Sequence, residues 1–270
     1  MILKPDQPIG IFDSGIGGLT VAAAIRQLLP NETLVYFGDT AHLPYGDKSS
    51  DAIRYYSKKI ADFLLEQDVK AIVIACNTAS AAAYTDILEH VAGRALVINV
   101  IDPMVQYITE SGKRGKIGVI GTKGTINSGT YEKKIRERMP SIEVCSLATP
   151  LLVPMIEEGF IYDDVSNAII RTYLSNEKLS DIQLLILGCT HYPLIKNQIR
   201  KFYDFRVEIV DSGLVVARYL QHMLAEHRLL NPTKGADHHF FISDHTAYFS
   251  RIAGLFFEED IILDLKDIWR

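Results

Sequence analysis

The sequence predicts an α/β protein of two pseudo-symmetric lobes, each a mostly parallel sheet flanked by helices, with its site at the interface between them. Three observations carry this expectation. Short apolar runs alternate with longer helical stretches, the pattern of parallel βα units. Runs such as "AIVIA" at 71–75 and "LLILG" at 184–188 are apolar throughout rather than alternating, which suits strands covered on both faces. The chain also resembles itself: "IGIFDSGIGG" from Ile9 matches "IGVIGTKGT" from Ile117 at an offset of 117 − 9 = 108 residues. "AIVIACNT" and "LLILGCTH" place Cys76 and Cys189 at an offset of 189 − 76 = 113, a loop insertion away from the first.

The elements follow in order. "IGIFD" at 9–13 is a strand closed by polar and glycine residues, and a helix over 18–29 follows. "TLVYF" at 33–37 is rich in aromatic and β-branched residues and stops at "GDT"; the next helix runs over 51–67. Strand 70–75 precedes the alanine-rich helix 78–90, and strand 95–100 closes the first set. The second set has strands at 116–120, 141–147, 183–187 and 206–210, with helices at 130–139, 162–176, 193–202 and 214–226.

Bulk composition narrows the class. At 270 residues and 48% apolar, the chain has material for a large core. No apolar run is long enough to span a bilayer, and the amino-terminal stretch lacks a basic segment followed by an apolar one. Three cysteines without CxxC spacing do not read as a disulfide framework. These features lead us to expect a cytoplasmic protein with free thiols and no membrane contact. The net charge of −5 advertises no nucleic-acid surface.

Cys76 and Cys189 each follow a strand and precede a helix, and ligands of open α/β sheets bind beyond the carboxyl ends of the strands. Two lobes facing each other there would bring both thiols to one cleft. Inverting a carbon centre requires a base on one face and an acid on the other. Thiols suit this, with an ordinary pKa of about 8.5 that a helix amino terminus can lower. The bland alternative is a small apolar side chain packed at a strand end, and Cys145 keeps that reading. Beside the other two stand Asn77, Thr78 and Thr190, which offer hydrogen bonds that a core does not need.

Other polar groups are less decisive. "DSGIGG" at 13–18 reads as a helix cap and tight turn, and it fails as a dinucleotide fingerprint because Thr20 takes the third glycine's place. An anion could still sit there, leaving Asp13 to meet an ammonium group or assist a cysteine. "FGDTAHLPYG" at 37–46 fits either a shaped loop or a binding loop. His191 reads as a capping residue or as a group tuning Cys189; with Cys189 it makes too few ligands for zinc. Glu157 and Glu158 read as a solvated helix end. A Cys–His acyl transferase, needing only one cysteine, and a non-catalytic carboxylate-binding regulator are the competing classes.

Taken together, "FDSGIGGLTV", "YFGDTAHLPYG", "ACNTAS" and "LGCTHYPL" resemble, in order and spacing, the motifs of glutamate racemases in the aspartate/glutamate racemase family. The resemblance implies cofactor-independent interconversion of L- and D-glutamate, supplying D-glutamate for peptidoglycan. It implies a first domain of residues 1–98 plus 209–270 and a second of 99–208. Cys76 would take the α-proton of D-glutamate, with support from Asp13. Cys189 would take that of L-glutamate, with support from His191. Asp39 and Glu157 match auxiliary acidic positions, and Glu158 could take the place of Glu157. Substrate contacts would fall on Asp13, Ser14, Tyr45, Gly46, Asn77, Thr78, Thr190 and His191. No metal or cofactor is expected, glutamate is the expected small-molecule partner, and a homodimer is the expected assembly. His42 departs from the arginine frequent at that position. A racemase of another amino acid, such as aspartate, shares the two-cysteine plan.

Overall fold

The computed structural model describes residues 3–112, 115–245, 247–257 and 261–269. Its first elements are β1 (Ile9–Asp13), α1 (Leu19–Leu28), β2 (Leu34–Gly38), α2 (Ser50–Glu66), β3 (Ala71–Ile74), α3 (Asn77–Val91), β4 (Leu96–Asn99) and α4 (Ile101–Glu110). There follow β5 (Lys116–Gly121), α5 (Lys123–Asn127), α6 (Thr130–Arg138), β6 (Val144–Ala148), α7 (Leu152–Glu157), α8 (Asp164–Leu174), β7 (Ile182–Gly188), α9 (Lys196–Phe202) and β8 (Glu208–Asp211). The chain ends with α10 (Ser212–Glu226), β9 (His239–Ile242), α11 (Ala247–Phe257) and β10 (Asp264–Leu265).

Two sheets result, in the orders β10-β9-β2-β1-β3-β4 and β6-β5-β7-β8. Every recorded strand pairing is parallel. Strands β2-β1-β3-β4 and β6-β5-β7-β8 share one order, so the internal resemblance of the sequence is a repeat of topology. The two segments following strands β3 and β7 carry Cys76 and Cys189.

Both faces of the first sheet are covered, as its continuous apolar runs require. Ile11, Tyr36 and Val73 pack with α1 and α10 residues on one side, while Phe12, Phe37, Ile72 and Ile74 pack with α2 and α3 residues on the other. At the amino ends of the strands, far from the cysteines along β3, Lys70 is fully buried. Its ammonium donates to Glu32 and to the carbonyl of Leu229 at 2.9 Å. Glu32 Oε1 in turn accepts the Asn231 N–H at 2.9 Å, fastening the segment after α10 to the first lobe.

The eight expected strands are present, with ends shifted by up to three residues. Helices α4, α5, α7 and α11 and strands β9 and β10 are additions to the sequence reading. For α4 a local signal exists: Asn99 Oδ1 accepts the N–H groups of Ile101 and Asp102 at 2.8 Å, and Pro103 lies in the first turn. Strand β8 pairs with β7 in the second sheet, so the return to the first sheet is made beyond Asp211, through β9 beside β2. Among the described residues no helix is long and apolar enough to cross a membrane.

Candidate active site

A cavity of about 210 Å³ lies where the carboxyl ends of the two sheets meet. From the first lobe Ser14, Tyr45, Gly46, Cys76, Asn77 and Thr78 line it; from the second come Thr122, Thr149, Glu157, Cys189, Thr190 and His191. Its size, below the roughly 300–1,000 Å³ of drug-sized pockets, suits a small metabolite. Both cysteines are thus brought to one cavity, one from each lobe, and both are nearly buried.

The lobes approach closely through glycine. A Cβ on Gly17 would stand 2.4 Å from His191 Nδ1 and 2.6 Å from Thr190 Oγ1, and one on Gly46 would stand 2.7 Å from Thr122 Cβ. Hydroxyls complete the seam: Thr20 donates to the Thr190 carbonyl at 3.1 Å, and Thr78 Oγ1 lies 2.9 Å from Thr122 Oγ1.

The first half of the site is built on a helix start. Cys76 is the N-cap of α3, and its Sγ accepts the Ala79 N–H at 3.4 Å and lies 3.6 Å from Ser14 Oγ. The helix terminus leads one to expect a lowered thiol pKa. The structure corrects this: burial, and then the charge of Asp13, push it up to about 12, against the lesser pull of Ala79 and Ser14. Asp13 does not line the cavity; it is fully buried behind the wall. Its Oδ2 accepts the N–H groups of Gly18 at 3.0 Å and Gly15 at 3.3 Å, while Oδ1 has no partner among the described residues. Burial raises its pKa, with His191 and those backbone N–H groups opposing.

The second half is built differently. Cys189 precedes a 3₁₀ turn at Tyr192–Ile195 rather than the start of an α-helix, so its field comes from a side chain. His191 Nδ1 lies 3.8 Å from Cys189 Sγ, and Nε2 lies 3.0 Å from Glu157 Oε1. Burial alone would lower the imidazole's pKa; Cys189 and Glu157 outweigh it and raise it to about 10. The ring is therefore an imidazolium at neutral pH, donating on both sides. Glu157, the last residue of α7, is selected over the exposed Glu158 by this contact.

The repeat makes the asymmetry plain. At an offset of 113, Asn77 corresponds to Thr190 and Thr78 to His191; at 108, Asp13 corresponds to Gly121 and Ser14 to Thr122. The backbone scaffold is duplicated, whereas a carboxylate backs one thiol and an imidazolium the other.

Asp39, expected as an auxiliary catalytic group, does not reach the cavity either. It is fully buried, and its oxygens are spent on Tyr45 OH at 2.7 Å, Ser243 Oγ at 2.8 Å and His42 Nδ1 at 2.9 Å. Its influence on the site passes through Tyr45. His42, in place of arginine, stacks on Tyr56 at 4.1 Å and meets Trp269 edge-on at 4.5 Å, so the carboxyl-terminal tail props the binding loop. No group of three or more His, Cys, Asp or Glu side chains is placed to hold a metal among the described residues.

A model of the Asp/Glu/hydantoin racemase family matches residues 19–220, well over half of the chain. The chain belongs to this family. It is 44% identical over 253 residues to the glutamate racemase of Geobacter metallireducens, covering 93% of each protein. Among solved structures, the glutamate racemase of Francisella tularensis in complex with D-glutamate superposes with a TM-score of 0.91 at 41% identity, over 98% of this chain and 99% of that one. The Thermus thermophilus glutamate racemase, bound to β-chloro-D-alanine, gives 0.87 at 39% identity, over 98% of both.

Within this family member, sequence reasoning missed Thr122 and Thr149 on the cavity wall, although the repeat offset held the signal for Thr122 as Ser14's counterpart.

Proposed function

We propose that the chain is a cofactor-independent two-base racemase interconverting L- and D-glutamate. The observation that carries this is the pair of cysteines, one from each lobe at matching strand ends, lining one small cavity. In the L-to-D direction the Cα–H bond breaks and its proton passes to the Cys189 thiolate, whose Sγ lies 3.8 Å from His191 Nδ1. The electron pair is held as an enediolate. Cys76, kept a thiol by burial and Asp13, delivers its proton to the opposite face, leaving Cys76 as thiolate and Cys189 as thiol. The reverse reaction exchanges these roles.

Asp13 supports Cys76 from behind the cavity wall, where burial and its unpartnered Oδ1 suit it to hold a proton. Glu157 supports His191, and Asp39 positions Tyr45. Ser14, Asn77, Thr78 and Thr190 supply hydrogen bonds to one carboxylate, while Tyr45 and Gly46 meet the other. Residues 1–98 with 212–270, and residues 99–211, are the two units we assign; the boundary expected between 208 and 209 falls inside β8, which pairs with β7. A cytoplasmic homodimer supplying D-glutamate for peptidoglycan completes the reading.

The test is circular dichroism of L-glutamate and, separately, L-aspartate incubated with enzyme dialysed free of small molecules. In deuterium oxide, loss of the glutamate signal with deuterium at the α-carbon of the product is expected. Decay of aspartate alone moves the assignment to the other substrate, and inversion without deuterium refutes the proton-transfer mechanism.

A further inference from the structure

Tyr131, the second residue of α6, is 3% exposed and belongs to the second lobe's core. Its hydroxyl donates to Asn77 Oδ1 at 2.7 Å. Asn77 is the first residue of α3, in the other lobe, and is 2% exposed on the cavity wall between Cys76 and Thr78. A phenol has a single hydrogen to give, and burial, which raises its pKa well above the ordinary value, keeps that hydrogen in place. With that hydrogen on Asn77 Oδ1 the carboxamide oxygen faces the second lobe, and turning the amide over would leave the buried phenolic hydrogen without its acceptor. The consequence lies at the other end of the group. Asn77 Nδ2 has no hydrogen-bond partner among the described residues. A buried amide N–H left in this state is unfavourable, and an anionic acceptor in the cavity would relieve it.

We propose that Tyr131 is a positioning residue: across the lobe boundary it fixes the Asn77 carboxamide so that its N–H₂ group receives a carboxylate of the substrate. Because donor and acceptor belong to different lobes, the amide is locked only while the lobes are apposed. Carboxylate binding at Asn77 is thereby tied to closure of the site. The inference rests on the glutamate reading for the identity of the ligand, and on the hydrogen bond and the unpartnered nitrogen for the rest.

Tyr131→Phe removes one oxygen and preserves the ring. Steady-state racemisation by wild type, Tyr131→Phe, Asn77→Ala and the double variant forms a cycle, with D-glutamate affinity measured by calorimetry on a Cys76→Ser/Cys189→Ser protein with and without Tyr131→Phe. Loss of a charge-assisted hydrogen bond predicts KM and Kd raised by about tenfold for Tyr131→Phe, with kcat and the pH profile unchanged. Added to Asn77→Ala, Tyr131→Phe should cost less than about twofold, since the two act through one contact. Unchanged KM, losses that multiply in the double variant, or a displaced pH profile would overturn the proposal. Wild type that binds glutamate without racemising it, with affinity still weakened by Tyr131→Phe, would sink the glutamate reading alone. Intact racemisation with unaltered affinity would sink the Tyr131 role alone. A parent protein that neither binds nor racemises glutamate sinks both.

Discussion

Glu157→Gln isolates the part of the site that sets the charge of His191. The wild-type ring lies between Cys189 Sγ at 3.8 Å and Glu157 Oε1 at 3.0 Å and holds its proton up to about pH 10. A glutamine keeps the shape of the side chain but removes its charge. A charge-assisted hydrogen bond contributes about 1.5–3 kcal/mol, and at about 1.36 kcal/mol per pH unit its loss brings imidazole deprotonation down by about one to two pH units. Below that point the ring places a positive charge beside Cys189; above it that charge is gone. The assay is kcat/KM by circular dichroism across neutral and alkaline pH. Enantiomers have equal free energies, so kcat/KM must be the same in both directions and either substrate reports it. The alkaline limb should move from about pH 10 in the wild type toward neutral in Glu157→Gln, while Glu158→Gln leaves it in place. An unmoved limb, or an equal shift from Glu158→Gln, refutes the reasoning. Stability carries the same sign. The folded-state pKa lies above the ordinary 6.5, so this contribution is complete below about pH 6.5 and is lost as the pH rises through about 10. Glu157→Gln should flatten that loss in Tm.

Each cysteine can be tested by itself. Cys76→Ala should let deuterium into the α-position of L-glutamate without inversion, and Cys189→Ala should do so for D-glutamate; labelling of the same enantiomer by both variants would reject the assignment of faces. Gly17→Ala drives a methyl into His191 and Thr190, at 2.4 and 2.6 Å. Overpacking of about 1–3 kcal/mol at the lobe seam should lower kcat/KM roughly tenfold with the far-ultraviolet spectrum unchanged, and activity within twofold of wild type would contradict the close approach. Lys70→Met leaves Glu32 buried without its cation, an imbalance of about 3–5 kcal/mol. Tm should fall by on the order of 10 °C while KM at low temperature stays put, because Lys70 lies at the opposite end of β3 from Cys76; an unchanged Tm would show the pair contributes nothing.

Much of the site was legible because its grammar is local. A cysteine directly after an apolar strand, followed by small polar residues, announces a group at the carboxyl edge of a sheet whatever the rest of the chain does. The 108- and 113-residue offsets announced two such edges. What escaped has a common cause. Helix α7 has six residues and α5 five, too few turns for an apolar period to show, and their stability comes from the neighbours they cover. Strand β9 has four residues and gains its partner, β2, from about 200 positions away. The N-cap at Cys76 promised an acidic thiol, yet desolvation outweighed the helix terminus, and burial is not a property of a motif.

By itself the sequence determined the βα alternation and the two strand-end thiols, which follow from periodicity and residue type within a dozen positions, and the duplicated lobe, which follows from the recurrence of such a short pattern more than 100 residues on. Only the tertiary structure decided that Glu157 rather than Glu158 meets His191, that Asp39 works through Tyr45, and that Tyr131 reaches Asn77. Those pairings depend on where two lobes and their short helices come to rest, and hydrogen bonds of about 3 Å are settled by packing that no local pattern encodes.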